Sequence, residues 1–202
     1  MSSTAPVDLQ GASHSPEQED GARYPGQPAM WFFVIGDLWI FTCYFMCYIY
    51  DRGQSPDNYL LAQQTLNQHV GVVNTILLLS SSLLVAFSVQ AARTKAFARA
   101  KSFLFLGGCL GVLFLLFKGF EWYVKIANGL PPESNGFFIY YFMFTGLHFF
   151  HVCLGLVILS LVFNELRKGE QSRTAFVESG AIYWHLVDLL WIIIFALLYL
   201  IR

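Results

Sequence analysis

The chain has 202 residues, 56% hydrophobic and only 12% charged, with a mean hydropathy of +0.53. A soluble domain carries about 25% charged residues, so this composition marks an integral membrane protein. The formal net charge of -1 leaves no basic patch for nucleic acid. Four cysteines, Cys43, Cys47, Cys109 and Cys153, all lie in apolar stretches, which argues against a disulfide framework.

Residues 1–29 are rich in Ser, Gln, Glu and Pro and lack an apolar core region. They read as a disordered cytoplasmic tail rather than a signal peptide. Residues 30–202 then read as one membrane domain. Its five apolar stretches, 30–50, 70–92, 102–126, 137–163 and 180–201, each reach the roughly 20 residues that a helical crossing needs. Between them, Asp51 to Asn67 carries Gly53, Pro56 and several amides, and Arg93 to Lys101 is short and basic. Asn128 to Gly136 reads NGLPPESNG, a turn signal, and Asn164 to Ser179 is charged and mixed. The expected fold class is an all-α integral membrane bundle of five transmembrane helices.

Lysines and arginines set the expected orientation. With the N-terminus inside, the inner segments hold Arg23, Arg93, Lys95, Arg99, Lys101, Arg167, Lys168 and Arg173, and the outer ones hold only Arg52 and Arg202. Eight against two satisfies the positive-inside rule with the N-terminus in and the C-terminus out. No internal repeat is visible, which weighs against an inverted-repeat transporter.

An ionisable group at mid-membrane costs roughly 2.5 kcal/mol or more, so each one calls for a use or a partner. At about 1.5 Å rise per residue, Asp37 on the first helix and His185 and Asp188 on the fifth fall in the inner half. His148 and His151 on the fourth lie near the midplane, Lys118 and Glu121 on the third lie in the outer half, and His69 marks the outer start of the second. Two layers are expected. Lys118, Glu121 and Lys125 share a helix face and form either a self-neutralising trio or a charged face for another helix or lipid head groups. His148 and His151 resemble a metal pair but have no third ligand, so neutral imidazoles hydrogen-bonded between helices are expected. A haem would need His148 or His151 to face His185. Cys43 and Cys47 are expected to be small core residues. Asp37 has no ionisable neighbour on its own helix, leaving a structural hydrogen bond, proton handling or lipid binding as its roles. His185 and Asp188, one turn apart, read as an interhelical polar clasp. Gly107, Gly108 and Gly111 should allow close helix approach, and Asn74, Thr75 and Ser80 to Ser82 should bond across helices.

Several strings occur in order: Asn74-Thr75 with Ser80-Ser81, Lys118-Gly-Phe-Glu121-Trp122, and Phe144-Thr145-Gly146-Leu147-His148 running into His151-Val152 and Gly155-Leu156. Glu178 follows, then Tyr183-Trp184-His185-Leu186-Val187-Asp188 and Trp191. Over residues 30–201 the chain resembles subunit III of the haem-copper oxidase superfamily. The resemblance implies a non-catalytic subunit of a respiratory terminal oxidase in the bacterial inner membrane, docked on the catalytic subunit. Such a subunit supports assembly, stability and proton uptake, protects turnover and holds phospholipid in a cleft, with no redox cofactor or metal of its own. Asp37 stands where the family has a membrane-buried, carbodiimide-reactive glutamate. The resemblance makes Asp37 and Glu121 candidate lipid or proton sites, and Lys118, His148, His151, Glu178, His185 and Asp188 an interhelical polar network. The short loops and the Arg23-Tyr24-Pro25-Gly26 lead-in also resemble the NorE-type branch, whose catalytic partner is a nitric oxide reductase. A small proton-coupled transporter using Asp37, His148 and Asp188 is the alternative from another class.

Overall fold

The computed structural model describes residues 28–201. The tail read as disordered therefore lies outside the described residues, except for its last two, which open the first helix. In chain order the helices are α1 (Pro28–Gln54), α2 (Pro56–Gln64), α3 (Gln68–Arg93), α4 (Phe97–Ala127), α5 (Gly136–Leu166) and α6 (Thr174–Phe195). The last continues through a π-helical turn, Ala196–Leu200. All the long helices, α1, α3, α4, α5 and α6 with its π turn, are long and apolar enough to cross a membrane. The 31 residues of α4 and of α5 span about 46 Å. That exceeds the ~30 Å hydrocarbon core, so both are long enough to cross it with residues to spare.

The ends follow local chemistry. Asn67 caps α3 by accepting from the His69 amide at 3.1 Å, and Asn135 caps α5 by accepting from the Phe137 amide at 3.3 Å. Gly129, at φ +75, ends α4 in the left-handed conformation, and the Leu130 amide reaches back to the Lys125 carbonyl at 3.1 Å. The segment read as a break between the first two spans holds α2 instead. Pro56 at its first turn has no amide hydrogen to lose there. The last helix begins at Thr174, so Glu178, placed by its polar surroundings in a loop, belongs to α6.

The last span is the centre of the bundle: 67% of its apolar window is buried, against 18–33% for the other four. Helices α3 and α4 form an antiparallel pair at close range. The Ser81 hydroxyl donates to the Gly107 carbonyl at 2.7 Å, and Ser88 donates to Ala100 at 2.8 Å. Trp184 of α6 wedges between α4 and α5. A Cβ added at Gly111 would come within 2.7 Å of its ring, and one at Gly155 within 2.8 Å. The indole nitrogen donates to Ser81 Oγ at 3.1 Å, so one side chain joins four helices.

Some expectations about packing are corrected. Gly108 meets nothing within 4 Å and faces away from the contact that Gly107 and Gly111 make. Cys43 and Cys47 are exposed rather than core residues. On α1 the buried face is Val34, Phe41, Phe45 and Tyr48, which turns both of its cysteines outward. Ser80 is exposed, and Asn74 is buried with neither amide atom hydrogen-bonded.

Gly111→Ala and Gly155→Ala should each destabilise the bundle by about 1–3 kcal/mol through overpacking against the ring. Gly119→Ala, where nothing lies within 4 Å, should be neutral or slightly stabilising. Thermal melting in a mild detergent, followed by circular dichroism, checks the order. Equal melting of all three would remove the wedge from the account.

Candidate functional site

Lys118 and Glu121 stand in a closed polar cluster built from three helices. Lys118 of α4 is fully buried. Its ammonium lies 3.0 Å from Glu121 Oε2 and donates to the hydroxyls of Tyr141 at 3.2 Å and Tyr199 at 3.0 Å. Both phenols in turn donate to Glu121 Oε1, at 2.8 and 2.7 Å. Each tyrosine thus accepts from the cation and donates to the anion, and the three ammonium protons are all engaged. The Trp191 ring, 5.1 Å from the nitrogen, adds a cation–π contact. Tyr199 sits in the π turn, the kind of local widening often found at functional positions.

Lys125 does not join this cluster, so the expected trio is a pair. Its ammonium instead caps the end of α2, donating to the Thr65 carbonyl at 2.7 Å. Gln63 of α2 donates to the carbonyls of Leu198 at 2.9 Å and Ile201 at 2.8 Å, satisfying the frayed end of the last span. On the same short helix, burial and the nearby Asp51 carboxylate raise the Tyr59 phenol above its ordinary range. The Tyr140 hydroxyl donates to Asp51 at 2.5 Å and ties α5 to α1.

Two further polar groups lie apart from this cluster. Asp37 of α1 finds its partner on another helix, as its isolation required: Oδ2 lies 3.4 Å from His151 Nε2 on α5. His151 Nδ1 lies 2.7 Å from the Leu147 carbonyl. A carbonyl only accepts, so Nδ1 carries a proton. The pair keeps 21% and 15% side-chain exposure, whereas Lys118 and Glu121 keep 1% and 8%.

His185 and Asp188 lie on one face of α6, and Ser82 of α3 is what they clasp. Its hydroxyl is 2.6 Å from His185 Nδ1 and neighbours the Asp188 carboxyl. Asp188 is buried, with Oδ1 unpartnered. Glu178 binds Arg93 at 2.9 Å, joining the start of α6 to the end of α3. His148 departs from expectation. It is fully buried between the rings of Phe114 at 5.6 Å and Trp191 at 5.1 Å, and neither ring nitrogen has a hydrogen-bond partner. It is a packing residue of the aromatic core, not an interhelical bridge. Among the described residues no three His, Cys, Asp or Glu side chains come together as a metal site.

The sequence pattern pointed to neither Tyr141 nor Tyr199, whereas Ser82 bonds across helices as its position led us to expect. The two phenols had a usable signal, since a tyrosine inside an apolar span needs a partner for its hydroxyl.

This arrangement can be set beside known proteins. The sequence matches the family described as cytochrome c oxidase subunit III over residues 7–201. The chain belongs to that family. Subunit 3 of the cytochrome bo(3) ubiquinol oxidase of Buchnera aphidicola is 28% identical, over 85% of this chain and 84% of the relative. Cytochrome c oxidase subunit 3 of Synechocystis is 32% identical, over 83% and 72%. The haem-copper oxidase subunit I+III of Aeropyrum pernix is 29% identical over 93% of this chain and 24% of its own length. The protein is thus a non-catalytic subunit III of a haem-copper oxidase, of a family that does not itself bind a redox cofactor. Neither the nitric oxide reductase reading nor the transporter reading is favoured.

In this subunit III, Lys118→Ala should cost about 3–5 kcal/mol, because it strands the Glu121 carboxylate in the core. The double variant Lys118→Met with Glu121→Leu should cost less than the single one. Thermal unfolding of the purified protein measures both, and strict additivity would mean that the two charges do not depend on each other.

Proposed function

We propose that this subunit III stands beside the histidine-rich catalytic subunit in a bacterial inner membrane, N-terminus in and C-terminus out. There it supports assembly, stability and proton supply, with phospholipid as its other partner. The observation that carries the reading is the contrast between the two layers. The outer Lys118–Glu121 cluster is sealed and satisfied by two tyrosines, a structural arrangement. The inner Asp37–His151 pair sets a carboxyl against an imidazole and is partly exposed, where a partner subunit, water or a lipid head group can reach it. The Aeropyrum pernix relative, whose name joins subunits I and III in one chain, supports a catalytic neighbour for this bundle.

Asp37 and His151 are then the proton-bearing site, and Glu178, His185 and Asp188 hold α6 to α3. Affinity-tagged protein should retrieve a haem-copper catalytic subunit in mild detergent. Purification as a solitary oligomer in every mild detergent would contradict the docking. Asp188→Asn should lower the amount of assembled complex more than Asp37→Asn does. Asp37→Asn should instead slow proton uptake by the assembled oxidase, read as pH-indicator dye consumption after oxygen addition. Unchanged assembly in both variants would remove the structural role of Asp188, and unchanged uptake in Asp37→Asn would remove the proton role of Asp37.

A further inference from the structure

Turning Cys43 and Cys47 outward brings a third sulfur to the same side of α1. Residues three and four apart on a helix are neighbours, with Cβ atoms about 5–6 Å apart. Cys43 therefore has Met46 and Cys47 beside it on the next turn. Both thiols are exposed, and Met46 is 65% exposed, so all three sulfurs face away from the bundle. The other two cysteines stand singly, Cys109 on α4 and Cys153 on α5. The methionine side chain turns about three bonds, which lets its sulfur close on the two thiols. The target is the ~4 Å separation that metal–sulfur bonds of about 2.3 Å set in a trigonal plane.

The rest of the helix decides which ion such a trio takes. α1 carries no histidine. Its two carboxylates are engaged by α5, Asp37 by His151 and Asp51 by Tyr140. The Thr42 hydroxyl donates to the Leu38 carbonyl. Hard cations want six or more oxygens, and a closed zinc site wants four ligands. Three sulfurs without a carboxylate or imidazole offer neither. Thiolate and thioether donors select Cu(I), a soft ion that is content with three of them.

We propose that Cys43, Met46 and Cys47 bind one Cu(I) ion in a three-sulfur site on the outward face of α1. Both cysteines bind as thiolates, each giving its proton to the medium, and the copper stays Cu(I) throughout. The ion offsets one thiolate charge, and Arg52, five residues beyond Cys47, places a cation at the same end of the helix. Held in this way the copper is cargo, not a redox centre. The site goes beyond the proposed function and rests on neither its docking nor its proton role.

The intact chain, reduced and stripped of metal in mild detergent under argon, is titrated against the coloured Cu(I) complex of bicinchoninate. It should withdraw one copper per chain, and X-ray absorption at the copper edge should show three sulfur neighbours. Ag(I) should displace the copper, and Zn(II) at the same concentration should not. Cys43→Ser with Cys47→Ser should weaken binding beyond the roughly 10–100-fold that loss of a ligand's outer partner costs. Met46→Leu, which conserves volume, should lower the sulfur count from three to two. Cys109→Ser with Cys153→Ser should leave binding unchanged, which separates the site from thiols in general. The proposal is overturned if the unaltered chain withdraws no copper, or if Met46→Leu keeps the full sulfur shell. Displacement by Zn(II), loss of binding in the Cys109 and Cys153 variant, or one copper held between two chains would overturn it as well. Should the Cys43 and Cys47 variant fail to fold, the sulfur count of Met46→Leu decides.

Discussion

Hydrocarbon offers no water to a polar side chain, so every ionisable group carried into the bundle has to be solvated by another part of the protein. The ammonium of Lys118 is the severest case. It is fully buried where an isolated charge would be prohibitive, and the bundle answers with a carboxylate and two phenols from three helices. That demand fixes more than one side chain. It requires α4, α5 and the end of the last span to converge at one point. It also gives the π turn its purpose, because Tyr199 reaches Lys118 and Glu121 from inside it. The short α2 follows from the same constraint, since Gln63 takes up the carbonyls that the irregular end of the last span leaves open.

Close packing is the second organising element, and it works through asymmetry of size. The bundle places glycines at positions 111 and 155 against the flat faces of Trp184 and lets the indole nitrogen satisfy Ser81. In a membrane there is little hydrophobic gain from bringing apolar helices together, so shape complementarity and interhelical hydrogen bonds carry the association. A tryptophan flanked by glycines supplies both. The central, mostly buried last span is the outcome, with α1 attached at the edge mainly through aromatic rings and the Asp37–His151 contact. That peripheral attachment is why Asp37 keeps some exposure while Lys118 keeps almost none.

Much of this was legible in the residues. The five spans follow from hydropathy, and the i,i+3 relation of Lys118 and Glu121 already announces an ion pair. The absence of any ionisable neighbour for Asp37 on its own helix demands a partner elsewhere, which His151 provides. Other features were not. The helical segment α2 is polar on average and its Pro56 looks like a break, although proline suits a first helical turn. Lys125 has the correct spacing to join Glu121, yet the unsatisfied end of α2 claims it. His148 has the chemistry of an interhelical bridge but lies between two aromatic rings with no partner in reach. Cys43 and Cys47 differ from Phe41 and Phe45 only by rotation around α1, and rotation is set by the neighbouring helices.

By itself, then, the sequence determined the membrane class, the number of crossings and the residues that could not be left alone in lipid. These depend on length, hydropathy and spacing along one helix, which are properties of the chain before it folds. The tertiary structure decided which helix supplies each partner and which face of α1 turns inward. Those outcomes depend on the rotation and lateral order of the helices. Hydropathy carries almost no information about either, because lipid and protein interior are nearly alike to an apolar side chain.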